Sequence, residues 1–259
     1  MLHIDLLYSL AGILVGLLVG LTGVGGGSLM TPLLVLAFGF HPATAVGTDL
    51  LYASGTKAVG TAVHGWRGSV DWKVVRRLAT GSVPATILTL LYLAAAHRDA
   101  KDTGHLISAI LGGTLVLTAV AVFFRVQIVR AAGRRFAKLD EQVVAALTVL
   151  LGVVLGVLVS LTSVGAGALG MTALLVLYPG SPVARLVGSD IAHAVPLTFI
   201  AGLGHWSMGS VDLSLLVALL LGSIPGIVVG SLIATRVSDK VLTPILATVL
   251  AIVGFKLLT

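Results

Sequence analysis

Cysteine is absent from this chain, which removes disulfides, thiolate chemistry and cysteine-based metal sites. Charge is scarce: Asp, Glu, Lys and Arg make up 10% of the residues, against about 25% in soluble domains, and mean hydropathy is +1.11. That scarcity excludes a soluble globular protein and leaves no stretch for a soluble domain. Metal-ligand spacings are also missing. None of the seven histidines falls in an HExxH or other paired pattern, so no metal or other cofactor is expected. No GxSG-type nucleophile environment accompanies the serines, which argues against an intramembrane protease and against an enzyme. The first residues carry Asp5 but no Lys or Arg, whereas a signal peptide needs a positive n-region, so the N-terminal run is not expected to be cleaved.

What is present is apolar sequence, said nearly twice. Hydrophobic runs of transmembrane length cover about eight segments: 6–21, 43–65, 73–96, 106–124, 143–161, 184–205, 213–234 and 241–258. Leu21-Thr22-Gly23-Val24-Gly25-Gly26-Gly27-Ser28 is echoed by Leu161-Thr162-Ser163-Val164-Gly165-Ala166-Gly167-Ala168. After a one-residue slip, Val46-Gly47-Thr48-Asp49 matches Val187-Gly188-Ser189-Asp190, and His64 matches His205. Gly68-Ser69-Val70-Asp71 then matches Gly209-Ser210-Val211-Asp212, and Gly81-Ser82-Val83-Pro84 matches Gly222-Ser223-Ile224-Pro225. Shared apolar composition would not keep Asp, His and Pro in step, so the chain is a duplication: a first transmembrane repeat over 1–124, a basic linker over 125–142 and a second repeat over 143–259. Duplicated halves with helix breakers at matching places are the sequence mark of a secondary transporter.

Residues 6–40 as one straight helix would span about 50 Å, too long for a hydrocarbon core of about 30 Å. The glycines from Gly23 to Gly27 are the place to break it, either as a broken helix or as a re-entrant hairpin. The positive-inside rule arbitrates. With a hairpin, one side carries Arg67, Lys73, Arg76, Arg77, Arg125, Arg130, Arg134, Arg135, Lys138, Arg185, Arg236 and Lys240, against Arg98, Lys101 and Lys256 opposite. A single crossing divides the same residues ten against five. The charges therefore predict an all-α membrane protein with an inverted repeat, periplasmic termini and a cytoplasmic central loop. The net charge of +6 concentrates in that loop, which is too short for a nucleic-acid module and suits anionic headgroups. Expected partners are thus the lipid bilayer, a small anion and protons, with a homodimer left open and no nucleic acid.

Irregular backbone in the hydrocarbon must line a protein cavity. The breaks at Gly25, Gly26 and Gly27, and at Gly165 and Gly167, are expected where the halves meet, with the next helix pointing its N–H groups inward. Thr22, Ser28, Thr48, Thr162, Ser163 and Ser189 add hydroxyls, a donor set suited to a small oxyanion. The competing reading is that these glycines only let helices approach closely. Asp49 and Asp190 lie inside matching spans; they are candidates for proton coupling, or they cap and tie helices. His193 sits one turn after Asp190 on the same face and is replaced by Tyr52 in the first half. Lys57, whose counterpart is Thr198, either neutralises a carboxylate or contacts an anion. Structural roles suffice for His64 and His205, and N-caps for Asp71 and Asp212.

The glycine-rich first segment, the stretch AVGTDLLYASGTKAVGTAVHGWRGSVD from Ala45 to Asp71, the following Gly-Ser-Val-Pro and its echo together resemble the sulfite exporter TauE/SafE family over essentially the whole chain. The resemblance implies a bacterial inner-membrane permease for sulfite, thiosulfate, organosulfonates or similar anions, driven by the proton gradient. Two features depart from the pattern: Asp49, where many relatives are neutral, and the degraded second glycine motif. The expected function is alternating access of two inverted halves around a central anion site, coupled through Asp49, Asp190 and His193. An anion channel, and a cation-coupled carrier using Asp49 and Asp190, are the alternatives.

Overall fold

Where the apolar runs meet glycine, proline and aspartate, the chain divides into eleven helices in the computed structural model, which describes residues 6–22, 27–66, 70–96, 100–136, 138–233 and 239–258. They are α1 (Leu6–Thr22), α2 (Gly27–Leu36), α3 (Pro42–Trp66), α4 (Trp72–Ala96), α5 (Ala100–Phe123), α6 (Arg125–Phe136), α7 (Glu141–Thr162), α8 (Ala168–Leu177), α9 (Val183–Ser207), α10 (Leu213–Ile233) and α11 (Asp239–Leu258). Local chemistry sets several of these starts. Pro42 opens α3, where its missing N–H is no loss. Asp71 caps α4 by accepting the N–H groups of Lys73 at 3.0 Å and Val74 at 3.4 Å, and Asp212 caps α10 through Leu215 N–H at 3.0 Å.

Each half begins with a helix that doubles back. Tyr8 near the start of α1 meets Phe38, just past α2, with ring centroids 5.1 Å apart, while Val15 and Val19 pack with Met30 and Leu34. In the second half Tyr178, just past α8, bonds Thr148 of α7 at 2.8 Å. In each half the end of the second helix therefore lies back beside the first helix.

Between the halves the pairings repeat. The first helix of each half lies parallel against the fourth of the other. Along α1 and α10 the neighbours are Ser9 with Gly222, Ile13 with Gly226 and Leu17 with Gly230; along α7 and α4 they are Gly152 with Leu78 and Gly156 with Ser82. Small residues permit this approach: a methyl on Gly81 would sit 2.0 Å from the Val149 carbonyl oxygen, and one on its counterpart Gly222 would sit 1.9 Å from that of Ser9. The remaining long helices pair with their own counterparts and run antiparallel. Gly47 faces His205, Gly202 faces Leu51 and Gly60 faces Ile191 between α3 and α9; Gly112 faces Leu258 and Val116 faces Gly254 between α5 and α11.

The surface is apolar, with Leu14, Leu88, Leu91, Tyr92, Ile252 and Phe255 exposed, while Asp49, Lys57, Asp190, His193 and many hydroxyls are buried. Among the described residues, α4, α7, α9 and α10 are long and apolar enough to cross a membrane, and α5 with α6, bent by 70°, adds a fifth if the pair is taken as one span. The expectation of eight spans is thus met by four or five on length and composition. The polar residues of α3, the break after Phe123 and the short apolar parts of α1 and α11 account for the difference. The linker 125–142 also differs from a plain loop, being largely the helix α6.

Candidate functional site

The second break is built by backbone that only particular residues accept. Ser163 has φ of 58°, Gly165 of 124° and Gly167 of 129°, the left-handed side of conformational space that glycine enters without penalty. Thr162 holds the turn by donating to the Leu158 carbonyl at 2.7 Å and accepting from Val164 N–H at 3.1 Å. Its neighbour Ser163, buried, turns toward the Asp49 carboxylate of the other half. The equivalent Gly25 and Gly26 lie outside the described residues, as do the side chains of Thr22, Ser28 and His64; Gly27 is the first residue of α2.

Against this break stands a buried cluster of charge. Asp49 is fully buried on α3, and its Oδ2 accepts the Thr31 hydroxyl of α2 at 2.5 Å. Asp190 of α9 is 2% exposed; its Oδ1 has no hydrogen-bond partner among the described residues and packs against α8, where a methyl on Gly170 would lie 2.6 Å away. Lys57 lies close enough to both carboxylates to interact electrostatically, while its ammonium donates to the Ala166 carbonyl inside the break at 3.2 Å. A cation from the first half therefore reaches the broken backbone of the second. Buried ionisable groups in a membrane protein are costly and mark functional sites by default.

Around the cluster the halves reproduce each other with substitutions. His193 Nε2 shares a hydrogen bond of 2.8 Å with Ser82 of α4, so its partner is this hydroxyl of the other half and not Asp190. The counterpart Tyr52 lies beside Ser223 of α10 and Thr56, and the Thr56 and Ser223 hydroxyls are 3.1 Å apart. In the repeated Gly-Ser-x-Pro the glycine therefore admits the neighbouring helix, and the serine faces residue 52 or 193 of the other half's helix. His205 Nε2 meets the Ser160 carbonyl at 2.9 Å.

Thr48 and Ser189 have a different setting from the cluster. The Thr48 hydroxyl accepts Asp212 N–H at 3.0 Å, and the Ser189 hydroxyl accepts Asp71 N–H at 2.8 Å. Each hydroxyl beside a buried aspartate thus holds the start of a helix in the opposite half, a bond between distant segments that no local pattern signals.

One charged residue escaped the sequence reading of the site. Arg125, counted with the basic linker, is half-buried at the break between α5 and α6 and lies close enough to Asp190 to interact with it. A recess of about 460 Å³ lies between the starts of α4 and α7 and the end of α8. There Lys73 and Arg77 of α4 both pair with Glu141 of α7, and Arg77 donates to the Tyr178 hydroxyl at 3.3 Å. Two other grooves, of about 540 and 630 Å³, are apolar and open on the outer surface, one between α4, α5 and α7 and the other between α1, α2 and α11. They do not reach the charged cluster.

Comparison with known proteins agrees with this architecture at the level of family. A probable membrane transporter protein of Bacillus subtilis, YjnA, is 41% identical over 214 residues, covering 82% of this chain and 83% of the relative. A second from the same organism, YdhB, is 28% identical over 80% of this chain and 81% of its own length. No solved structure matches. The sequence model described as Sulfite exporter TauE/SafE matches residues 8–257, and the chain belongs to that family of membrane transporters.

Proposed function

We propose that the protein is a proton-coupled secondary-active transporter of small sulfur-containing anions (sulfite, thiosulfate or organosulfonates) in the bacterial inner membrane. The observation that carries this reading is the buried group of Asp49, Lys57 and Asp190 against the break at Ser163, Gly165 and Gly167. Lys57 and the hydroxyls and N–H groups of the breaks supply the anion site, and Asp49, Asp190 and His193 are the groups available for protons. The antiparallel pairs α3 with α9 and α5 with α11 support an inverted repeat, since halves of equal orientation would place like helices parallel. On this reading six helices cross the membrane, the two hairpins re-enter it, and the central basic segment is cytoplasmic. Alternating access then rocks one half against the other about the shared cluster.

Counterflow in proteoliposomes tests the reading with sulfite, thiosulfate, sulfoacetate and taurine. Saturable exchange of at least one anion, altered by an imposed pH gradient, is expected. No saturable flux of any of them would overturn it.

A further inference from the structure

Asp49 and Asp190 occupy matching positions, yet they are held differently. Asp49 has a hydroxyl bonded to it at 2.5 Å. Oδ1 of each has no hydrogen-bond partner among the described residues and Lys57 of α3 faces both carboxylates, but Asp190 alone of the two also faces Arg125 at the head of α6. The helix path brings Arg125 there. Val122 at the end of α5 packs with Ala168, the first residue of α8, and Asp190 Oδ1 rests at Gly170, two residues further along α8. The 70° break then sends the chain across α8, so the residue one turn beyond Val122 arrives at the level of the aspartate. Also close by are the Gly170 backbone, His193 one turn on, whose Nε2 is engaged with Ser82, and, across Lys57, the Asp49 carboxylate.

On the reading that the cluster binds an anion, we propose that Arg125 is the second cation of that site. Asp190 holds the anion's place between Arg125 and Lys57 when the site is empty, and a small oxyanion enters only as Asp190 takes up a proton. Two carboxylates and two cations leave the empty cluster neutral. A monoanion added to it would leave one uncompensated charge in a low dielectric, where such a charge is strongly disfavoured. A proton on the Asp190 carboxylate restores neutrality and releases both cations from that carboxylate. On the opposite side the anion leaves, the carboxylic acid releases its proton to water, and the ion pairs re-form, so one proton travels with each monoanion. The planar guanidinium fork matches two oxygens on one sulfur, which selects sulfite-like and sulfonate-like anions over halides.

The test is binding of methanesulfonate, a monoanion with no titration of its own near neutrality. It is measured by calorimetry on the detergent-solubilised full chain between pH 5.5 and 8.5. Wild-type affinity should fall by up to about tenfold per pH unit as Asp190 ionises, and Asp190→Asn should bind with no such slope. Arg125→Gln should weaken binding at least about tenfold at every pH, with Arg125→Lys intermediate and serving as the folded comparison. An unchanged slope in Asp190→Asn, or wild-type affinity in Arg125→Gln, overturns this inference while sulfite counterflow leaves the transporter reading standing. Loss of counterflow with all anions overturns both.

Discussion

Replacing Gly81 by alanine tests the parallel packing of α4 on α7, and the structure sets the size of the effect. The added methyl would lie 2.0 Å from the Val149 carbonyl oxygen and 2.8 Å from the Val153 nitrogen, whereas an ordinary C···O contact is about 3.3 Å or more. Both obstacles are backbone, so no side chain can swing aside and the helices must separate locally by about 1 Å. A gap of that size forfeits a large part of each dispersion contact along the seam, and overpacking typically costs about 1–3 kcal/mol. With backbone on both sides the upper part of that range is expected, a fall in melting temperature on the order of 5 °C. Thermal unfolding of the detergent-solubilised chain, followed by fluorescence of its three tryptophans, measures it. Gly222→Ala should lose a similar amount, because its methyl would meet Ser9 of α1 at 1.9 Å. Gly113→Ala on α5, with nothing among the described residues within 4 Å, should be neutral or slightly stabilising through helix propensity. If Gly81→Ala is no less stable than Gly113→Ala, the parallel seam is wrong.

Lys57→Met should abolish anion counterflow and destabilise the fold, because the carboxylates lose a buried counter-charge; Lys57→Met with Asp190→Asn should recover melting temperature without transport, and recovered transport would remove Lys57 from the site. Ser189→Ala and Thr48→Val each strip a buried acceptor from an Asp N–H and should cost about 1–2 kcal/mol; unchanged melting in both would deny the cross-half caps. The absence of native cysteine permits single-cysteine labelling, with Lys138→Cys expected to react from the cytoplasm and Lys256→Cys from the opposite side. Labelling of both from one side would contradict the inverted arrangement.

What could be read from the sequence were features whose chemistry is local. Asp71 and Asp212 were legible as caps because a carboxylate before an apolar run has one nearby use. The second break was legible at Gly165 and Gly167, whose positive φ suits glycine, while Ser163, at φ of 58°, carries no such signal. The Asp49, Lys57 and Asp190 group was legible because charge inside apolar sequence stands out. Direction and partnership were not. Nothing within Gly81-Ser82-Val83-Pro84 says that the glycine will meet Val149 or that the serine will meet His193. Thr48 and Ser189 invite a ligand role by adjacency to aspartates, yet their hydroxyls join segments about 120 to 160 residues away. Arg125 was hidden by company, since it opens a run of basic residues, and only the bend after Phe123, which sets the head of α6 across α8, brings it to Asp190.

The central claim is that this buried cluster couples an anion to the proton gradient, and accumulation tests it most directly. Proteoliposomes containing the wild-type chain, given a pH gradient and labelled sulfite at equal concentration on both sides, should concentrate sulfite on one side, and a protonophore should abolish the difference. Sulfite that merely equilibrates, at a rate indifferent to the pH gradient and to Asp190→Asn, would contradict the account.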